Sequence, residues 1–331
     1  MTEDFLAFAL NAERRSHACE DADYPQFHVA PPVGRLNDPN GLIKVGDTYH
    51  AFFQYTPEHP KKLVYWGHAT SKNLVNWEYL KPAILPDSHQ DANGAYSGTA
   101  IATEEGVELW YTGNYKDPQT GEREATQCVV TTPDMKSFTK LVPPIIGHQP
   151  NGYTAHFRDP QVWADPEVPG SYRMLLGVQR ENETGAALLY RSSNLRTWEC
   201  EGEMTFPDAN GAFDAFGYMW ECPTLVRLSD ESATSSSSVP RASPPTSKAT
   251  KTSSPAFTSS ENWSAQNLPS VTDHLPSLTA VSSSTLPRST RVLTLRGVHG
   301  VTRSPRFLSA GPATPAKMTS PRSKPEGGCT A

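Results

Sequence analysis

Helical periodicity occurs only at the start of this 331-residue chain, where apolar positions in FLAFALNAERR predict a short amphipathic helix over 5–20. From about residue 40 short alternating or β-branched runs take over, the signature of strands. Candidate strands are GLIKV (41–45), TYHAFFQY (48–55) and LVYWGHAT (63–70), then TAIAT (99–103), VELWYTG (107–113) and ATQCVVT (125–131). A third set comprises PQVWA (160–164), SYRMLLGV (171–178) and AALLYRS (186–192), and PTLVRL (223–228) opens a fourth. Gly-containing turns such as Val45-Gly46-Asp47 and Glu105-Gly106 separate them.

Each set closes on a segment of one design: SKNLVNW (71–77), TPDMKSF (132–138) and SSNLRTW (192–198). Their last aromatics, Trp77, Phe138 and Trp198, recur at a nearly constant interval. About four strands per repeat, joined by local hairpins without intervening helices, is the pattern of a β-propeller blade. A β-sandwich, the other all-β solution, predicts no internal period. The expected fold is therefore all-β, with about three propeller blades and the start of a fourth.

Composition changes at residue 229. Residues 1–228 hold 30 acidic and 18 basic side chains, whereas 229–331 hold 5 and 11. In the second stretch Ser, Thr and Pro supply 49 of 103 residues and the aromatics are Phe257, Trp263 and Phe307, too little apolar surface to offset the entropy of ordering a chain. The expected organisation is a helical lead (1–23), a partial propeller (24–228) and a disordered tail (229–331). Scattered basic residues and scarce aromatics argue against nucleic acid as a partner of that tail.

Cys19, Cys128, Cys200, Cys222 and Cys329 are odd in number and form no CxxC pair, which argues against a disulfide framework and a zinc site. The N-terminus has only about six consecutive apolar residues, preceded by acids rather than bases, and no run approaches the roughly 18 apolar residues of a membrane span. A cytoplasmic location without membrane or metal partners is expected.

The chemistry follows the same frame. LNDPNG (36–41), FRDP (157–160) and WECP (220–223) hold Asp38, Asp159 and Glu221, the first two about two repeats apart and the last two about one, each just before the first strand of a unit. In a propeller the first strands line the central channel, so these acids should converge. Convergent carboxylates are what glycoside hydrolysis needs, one protonated to donate to the leaving oxygen and one ionised at the anomeric carbon. Glu221, between Met219-Trp220 and Cys222-Pro223, has apolar neighbours expected to desolvate it as an acid requires. Asp38, between Asn37 and Asn40, is expected to be held ionised by amides. Singly, the motifs read as a β-turn, a surface ion pair and a strand-edge residue; their occurrence in register is not demanded by turn chemistry.

These motifs resemble the three signatures of the glycoside hydrolase family 32 β-fructosidases, as do Phe27-His28, FFQY (52–55), YWGHATSKNLVNW (65–77), YSGTA (96–100) and YTG (111–113). The resemblance covers about residues 24–228. It implies a five-bladed propeller followed by a β-sandwich, and hydrolysis of terminal β-fructofuranosides, sucrose or sucrose 6-phosphate, with retention. By resemblance Asp38 is the nucleophile, Glu221 the acid/base and Asp159 the transition-state stabiliser. Asn37, Gln54, Trp66, Tyr96, Ser97 and Arg158 would line the fructose subsite, Trp66 as a flat apolar wall, with a small sugar as the partner and no cofactor. A fructosyltransferase would use the same acids, and a non-catalytic sugar-binding remnant is the reading from another class.

His28 and His68 read as structural, and Cys222 as a small packing residue. Lys61, Lys62 and His59 are either partners for a substrate phosphate or a solvated loop. The chain departs from the family pattern after 228, where the rest of blade four, blade five and the sandwich are not legible; a change of reading frame is the expected cause.

Overall fold

The computed structural model describes residues 4–206, 211, 213–214, 216–227, 234–241, 257–259 and 264–265. The chain divides into units 1–287 and 288–331, and every described residue lies in the first. Helix α1 (Phe5–Arg14) is capped by Asp4, whose carboxylate accepts from the Ala7 N–H at 2.9 Å. It ends short of the expected boundary. Ser16 explains the stop: its hydroxyl donates to the Pro32 carbonyl and accepts from the Ala18 N–H, drawing the chain out of the helix.

The remainder is β. Strands β1 (Arg35–Val45), β2 (Thr48–Thr56), β3 (Tyr65–Ser71) and β4 (Glu78–Ile84) form one antiparallel sheet in sequence order. A second contains β5 (Ala95–Thr103), β6 (Gly106–Lys116), β7 (Arg123–Thr132) and β8 (Thr139–Lys140). A third contains β9 (Tyr153–Ala164), β10 (Tyr172–Arg180), β11 (Gly185–Ser192) and β12 (Glu199–Thr205). A fourth begins with β13 (Met219–Arg227) and continues through β14 (Thr234–Arg241) and β15 (Phe257–Ser259), while β16 (Ser264–Ala265) pairs with β12. These up-and-down sheets are propeller blades, as the aromatic-closed repeat predicts.

The repeat segments are the turns from third to fourth strand. Ser71, Thr132 and Ser192 each accept, through the hydroxyl, the N–H of the residue three positions on, at 2.8–2.9 Å. Those residues, Leu74, Met135 and Leu195, all have φ near +60°. Asn73, Asp134 and Asn194 then accept two further N–H groups each, closing the turn. The aromatics that follow join blades: Phe138 packs edge-on to Phe52 of the first sheet, and Trp198 edge-on to Trp110 of the second. Trp77, in the first blade, packs instead into the cluster around Phe53, Tyr55 and Tyr65, which α1 covers through Phe5 and Ala9.

Side chains also stitch one innermost strand to the next. Thr99 on β5 accepts from the Val162 N–H and donates to the Pro160 carbonyl, both at 3.0 Å. Gln161 on β9 bonds both backbone groups of Leu225 on β13, at 2.9 and 2.6 Å. The innermost strands are thus held side by side without a ladder between them.

Two boundaries differ from expectation. The innermost strands begin earlier than the apolar runs suggest, so the acids lie inside β1, β9 and β13 rather than before them. The expected disordered tail lies mostly outside the described residues, but 234–241, 257–259 and 264–265 are strand, with β14 pairing along β13. A ladder needs backbone groups and no apolar side chains, so composition alone did not mark it. Among the described residues no helix is long and apolar enough to cross a membrane.

Candidate active site

Each innermost strand breaks register with its neighbour beside an acid or its hydrogen-bond partner, β1 and β9 breaking a second time as well. The pairing skips between Leu36 and Pro39, Ala95 and Gly98, Arg158 and Gln161, and Glu221 and Thr224, with one extra residue taken up each time. These are β-bulges, which bend a strand and re-aim its side chains. Asp38, Ser97 and Asp159 lie within the skipped positions, and Glu221 stands at the edge of the fourth. Asp159 and Cys222 adopt φ of +63° and +49°, the left-handed region that non-glycine residues rarely occupy.

Around Asp38 the order is a chain of hydrogen bonds across two blades. The buried Ser97 hydroxyl donates to Asp38 Oδ2 at 2.8 Å and accepts from Gln54 Nε2 at 2.6 Å. Gln54 Oε1 accepts from Asn37 Nδ2 at 3.3 Å, and Asn37 Oδ1 from Arg35 at 2.8 Å. The donor to Asp38 is therefore the next blade's hydroxyl rather than the expected Asn37 or Asn40 amide, because Asn37 points to Gln54 instead.

Between the third and fourth blades Arg158 Nη2 donates to Glu221 Oε1 at 2.9 Å, and Arg158 Nη1 lies 3.1 Å from His156 Nδ1. A guanidinium only donates, so that imidazole nitrogen accepts. Asp159 Oδ2 accepts the Cys222 N–H at 2.9 Å, with the thiol 3.7 Å away. Burial pushes the Asp159 carboxyl up to about 6; Arg158 and the Cys222 N–H oppose the rise, while the charges of Glu221 and Asp38 add to it. The action of both charges on Asp159 places the three acids in one electrostatic neighbourhood. Burial and the same three carboxylates keep the Cys222 thiol protonated, in line with a packing role.

The desolvation expected at Glu221 is found at Asp159. Glu221 keeps 27% of its side chain exposed and faces Arg158, whereas Asp159 is 7% exposed. Trp66, expected as a wall for a sugar, has no exposed surface; it packs beside Tyr111 and its indole N–H donates to the Tyr96 carbonyl at 2.9 Å. It supports the strand carrying Tyr96 and Ser97 from behind. Tyr96 is half-buried and Asn37 exposed. His28 is exposed, while His68 is buried against Phe52 and bonded to His50 at 3.0 Å, its pKa drawn down to about 3 by burial and by His50. Lys61 pairs with Glu58 within a turn and lies over the Phe8 ring. Among the described residues no group of three or more His, Cys, Asp or Glu side chains is arranged to hold a metal ion.

A propeller whose bulged innermost strands gather three carboxylates beside an arginine defines a class of protein with an acidic central site. The description "Glycosyl hydrolases family 32 N-terminal domain" matches residues 28–274, and the chain belongs to the glycosyl hydrolases of family 32. It is 45% identical over 214 residues to a sucrose-6-phosphate hydrolase of Bacillus subtilis, covering 64% of this chain and 43% of the relative. It is 44% identical over 216 residues to the enzyme of that name from Klebsiella pneumoniae, covering 64% and 44%. Its fold is similar to a sucrose-6-phosphate hydrolase of Lactobacillus gasseri (TM-score 0.62, 34% identity, 72% of this chain and 46% of the other). A family 32 β-fructofuranosidase of Bombyx mori gives a TM-score of 0.63 at 27% identity, over 78% and 52%. The chain spans a little under half the length of the curated relatives it matches.

Proposed function

We propose that Asp38, Asp159 and Glu221 form the catalytic centre of a retaining β-fructofuranosidase acting on sucrose or sucrose 6-phosphate. One observation carries the reading: three acids at matching bulges of the first, third and fourth innermost strands, near enough for two to act electrostatically on the third. The relatives named above as sucrose-6-phosphate hydrolases support the substrate.

In this mechanism Asp38 attacks C2 of the fructosyl group while Glu221 gives its proton to the glycosidic oxygen and glucose, or its phosphate ester, departs. Glu221 then takes a proton from water, which attacks C2, breaks the ester to Asp38 and restores the enzyme. The Ser97 hydrogen bond fixes the rotation of the attacking carboxylate. Asp159, ionised at neutral pH, accepts hydrogen bonds from ring hydroxyls and stabilises the oxocarbenium-like transition state. A fructosyl group that draws Arg158 onto its own hydroxyls releases Glu221 to carry the proton.

The test is release of glucose from sucrose, and of glucose 6-phosphate from sucrose 6-phosphate, by the chain and by Asp38→Asn. The variant should lose several orders of magnitude in kcat, as removal of a nucleophile does. Equal rates for the two proteins would remove Asp38 from the mechanism.

A further inference from the structure

Behind Asp159 lies a buried polar pair. Thr112 on β6 and Gln127 on β7 are 1% and 0% exposed and directly opposite in the ladder. The Thr112 hydroxyl donates to Gln127 Oε1 at 2.8 Å and accepts the Asp159 N–H at 3.0 Å. Gln127 Nε2 donates to the Phe157 carbonyl at 3.1 Å. The pair thus grips the backbone on both sides of Arg158 from the neighbouring blade.

The grip has a physical reason. At the β9 bulge the register skips past Asp159, so its N–H leaves the ladder to β10. Its left-handed φ costs on the order of 1–3 kcal/mol and persists only if the surroundings over-determine it. Thr112 takes the stray N–H, and the Cys222 N–H holds the carboxylate from the other side. Gln54 stands opposite the β1 bulge as Thr112 stands opposite the β5 bulge, and it too reaches the next blade's bulge, at Ser97. Leu176, opposite the β9 bulge, has no polar group to do so.

We propose that Thr112 and Gln127 are positioning residues that set the Asp159 carboxylate by fixing its left-handed backbone. The proposal rests on the role given to Asp159 under the proposed function. Thr112→Val keeps the shape and removes the hydroxyl; Thr112→Ser keeps the hydroxyl. In the full chain Thr112→Val should lower kcat on sucrose by about 10- to 100-fold, the scale of a small misplacement at a reacting centre. It should also move the acid limb of the kcat–pH profile, and Thr112→Ser should restore both. Wild-type kcat and pH profile in a folded Thr112→Val protein would overturn the proposal, as would equal losses in the two variants.

A second readout needs no turnover. Carboxyl-¹³C NMR of labelled aspartate, with Asp159 assigned through Asp159→Asn, should show a titration midpoint displaced in Thr112→Val and restored in Thr112→Ser. An unchanged midpoint overturns the positioning claim. An inactive wild-type chain overturns the fructosidase reading while leaving this readout to decide. If Thr112→Val fails to fold, Gln127→Met takes its place: it is close in length, adds no charge and removes both the acceptor for Thr112 and the donor to Phe157, and a displaced midpoint is again expected. An unmoved midpoint there overturns the proposal too.

Discussion

Asp159 is buried and left-handed at once, and both properties act against an ordinary aspartate. Its carboxyl stands at about 6 in the fold against 3.8 ordinarily, so the folded state holds the proton more tightly than the unfolded chain. Stability from this group is therefore fully present below about pH 4 and is lost as pH rises through 6. Asp159→Asn removes the titration, and asparagine tolerates a left-handed φ well. Thermal denaturation should show the variant about 2–3 kcal/mol more stable than wild type at pH 7 and no more stable at pH 4. Turnover should meanwhile fall by about two to three orders of magnitude, as when a transition-state stabiliser is lost. A variant equal to wild type at pH 7 in stability and rate would contradict both the burial penalty and the role.

The same residue shows where sequence reading ran out. The three acids were legible because their motifs recur on the aromatic frame. Which of them is desolvated was not. Neighbours in a strand point to opposite faces, so the apolar Trp220 describes the other side of β13 from Glu221. Gln127 carried no motif, and Thr112, although inside YTG (111–113), had no role attached to it; the signal was positional: Thr112 holds in the second blade the place that Gln54 holds in the first.

At the level of elements, the bulges work only if neighbouring blades approach closely. Gly177 on β10, the second strand of the third blade, shows how closely: a Cβ built there would lie 2.0 Å from the Trp220 carbonyl oxygen on β13, the innermost strand of the next blade. Gly177→Ala must push β13 away, and with it Glu221 from Arg158. A destabilisation of about 1–3 kcal/mol in denaturant unfolding is expected from the overpacking, with kcat reduced further than stability explains. Wild-type kcat would show that the approach of these strands does not set the site. The frame itself was legible because each turn needs the same hydroxyl and Asx side chain and is followed by an aromatic that is packed into a core, Phe138 and Trp198 against the preceding blade and Trp77 under α1. The bulges were not, since a one-residue register skip leaves the alternating pattern on either side intact.

At the level of the whole molecule, the propeller class followed from period and strand count, neither of which depends on long-range contacts. The reach of ordered strand beyond residue 228 did not, because backbone pairing is indifferent to the Ser-rich composition of β14. The proposed function has Asp38 attack from one side of the sugar while Glu221 serves the other, and stereochemistry reports that most directly. With sucrose hydrolysed in aqueous methanol, the alcohol intercepts the fructosyl intermediate and NMR identifies the anomer formed. The account predicts methyl β-fructofuranoside from the chain and none from Asp38→Asn; methyl α-fructofuranoside would contradict it.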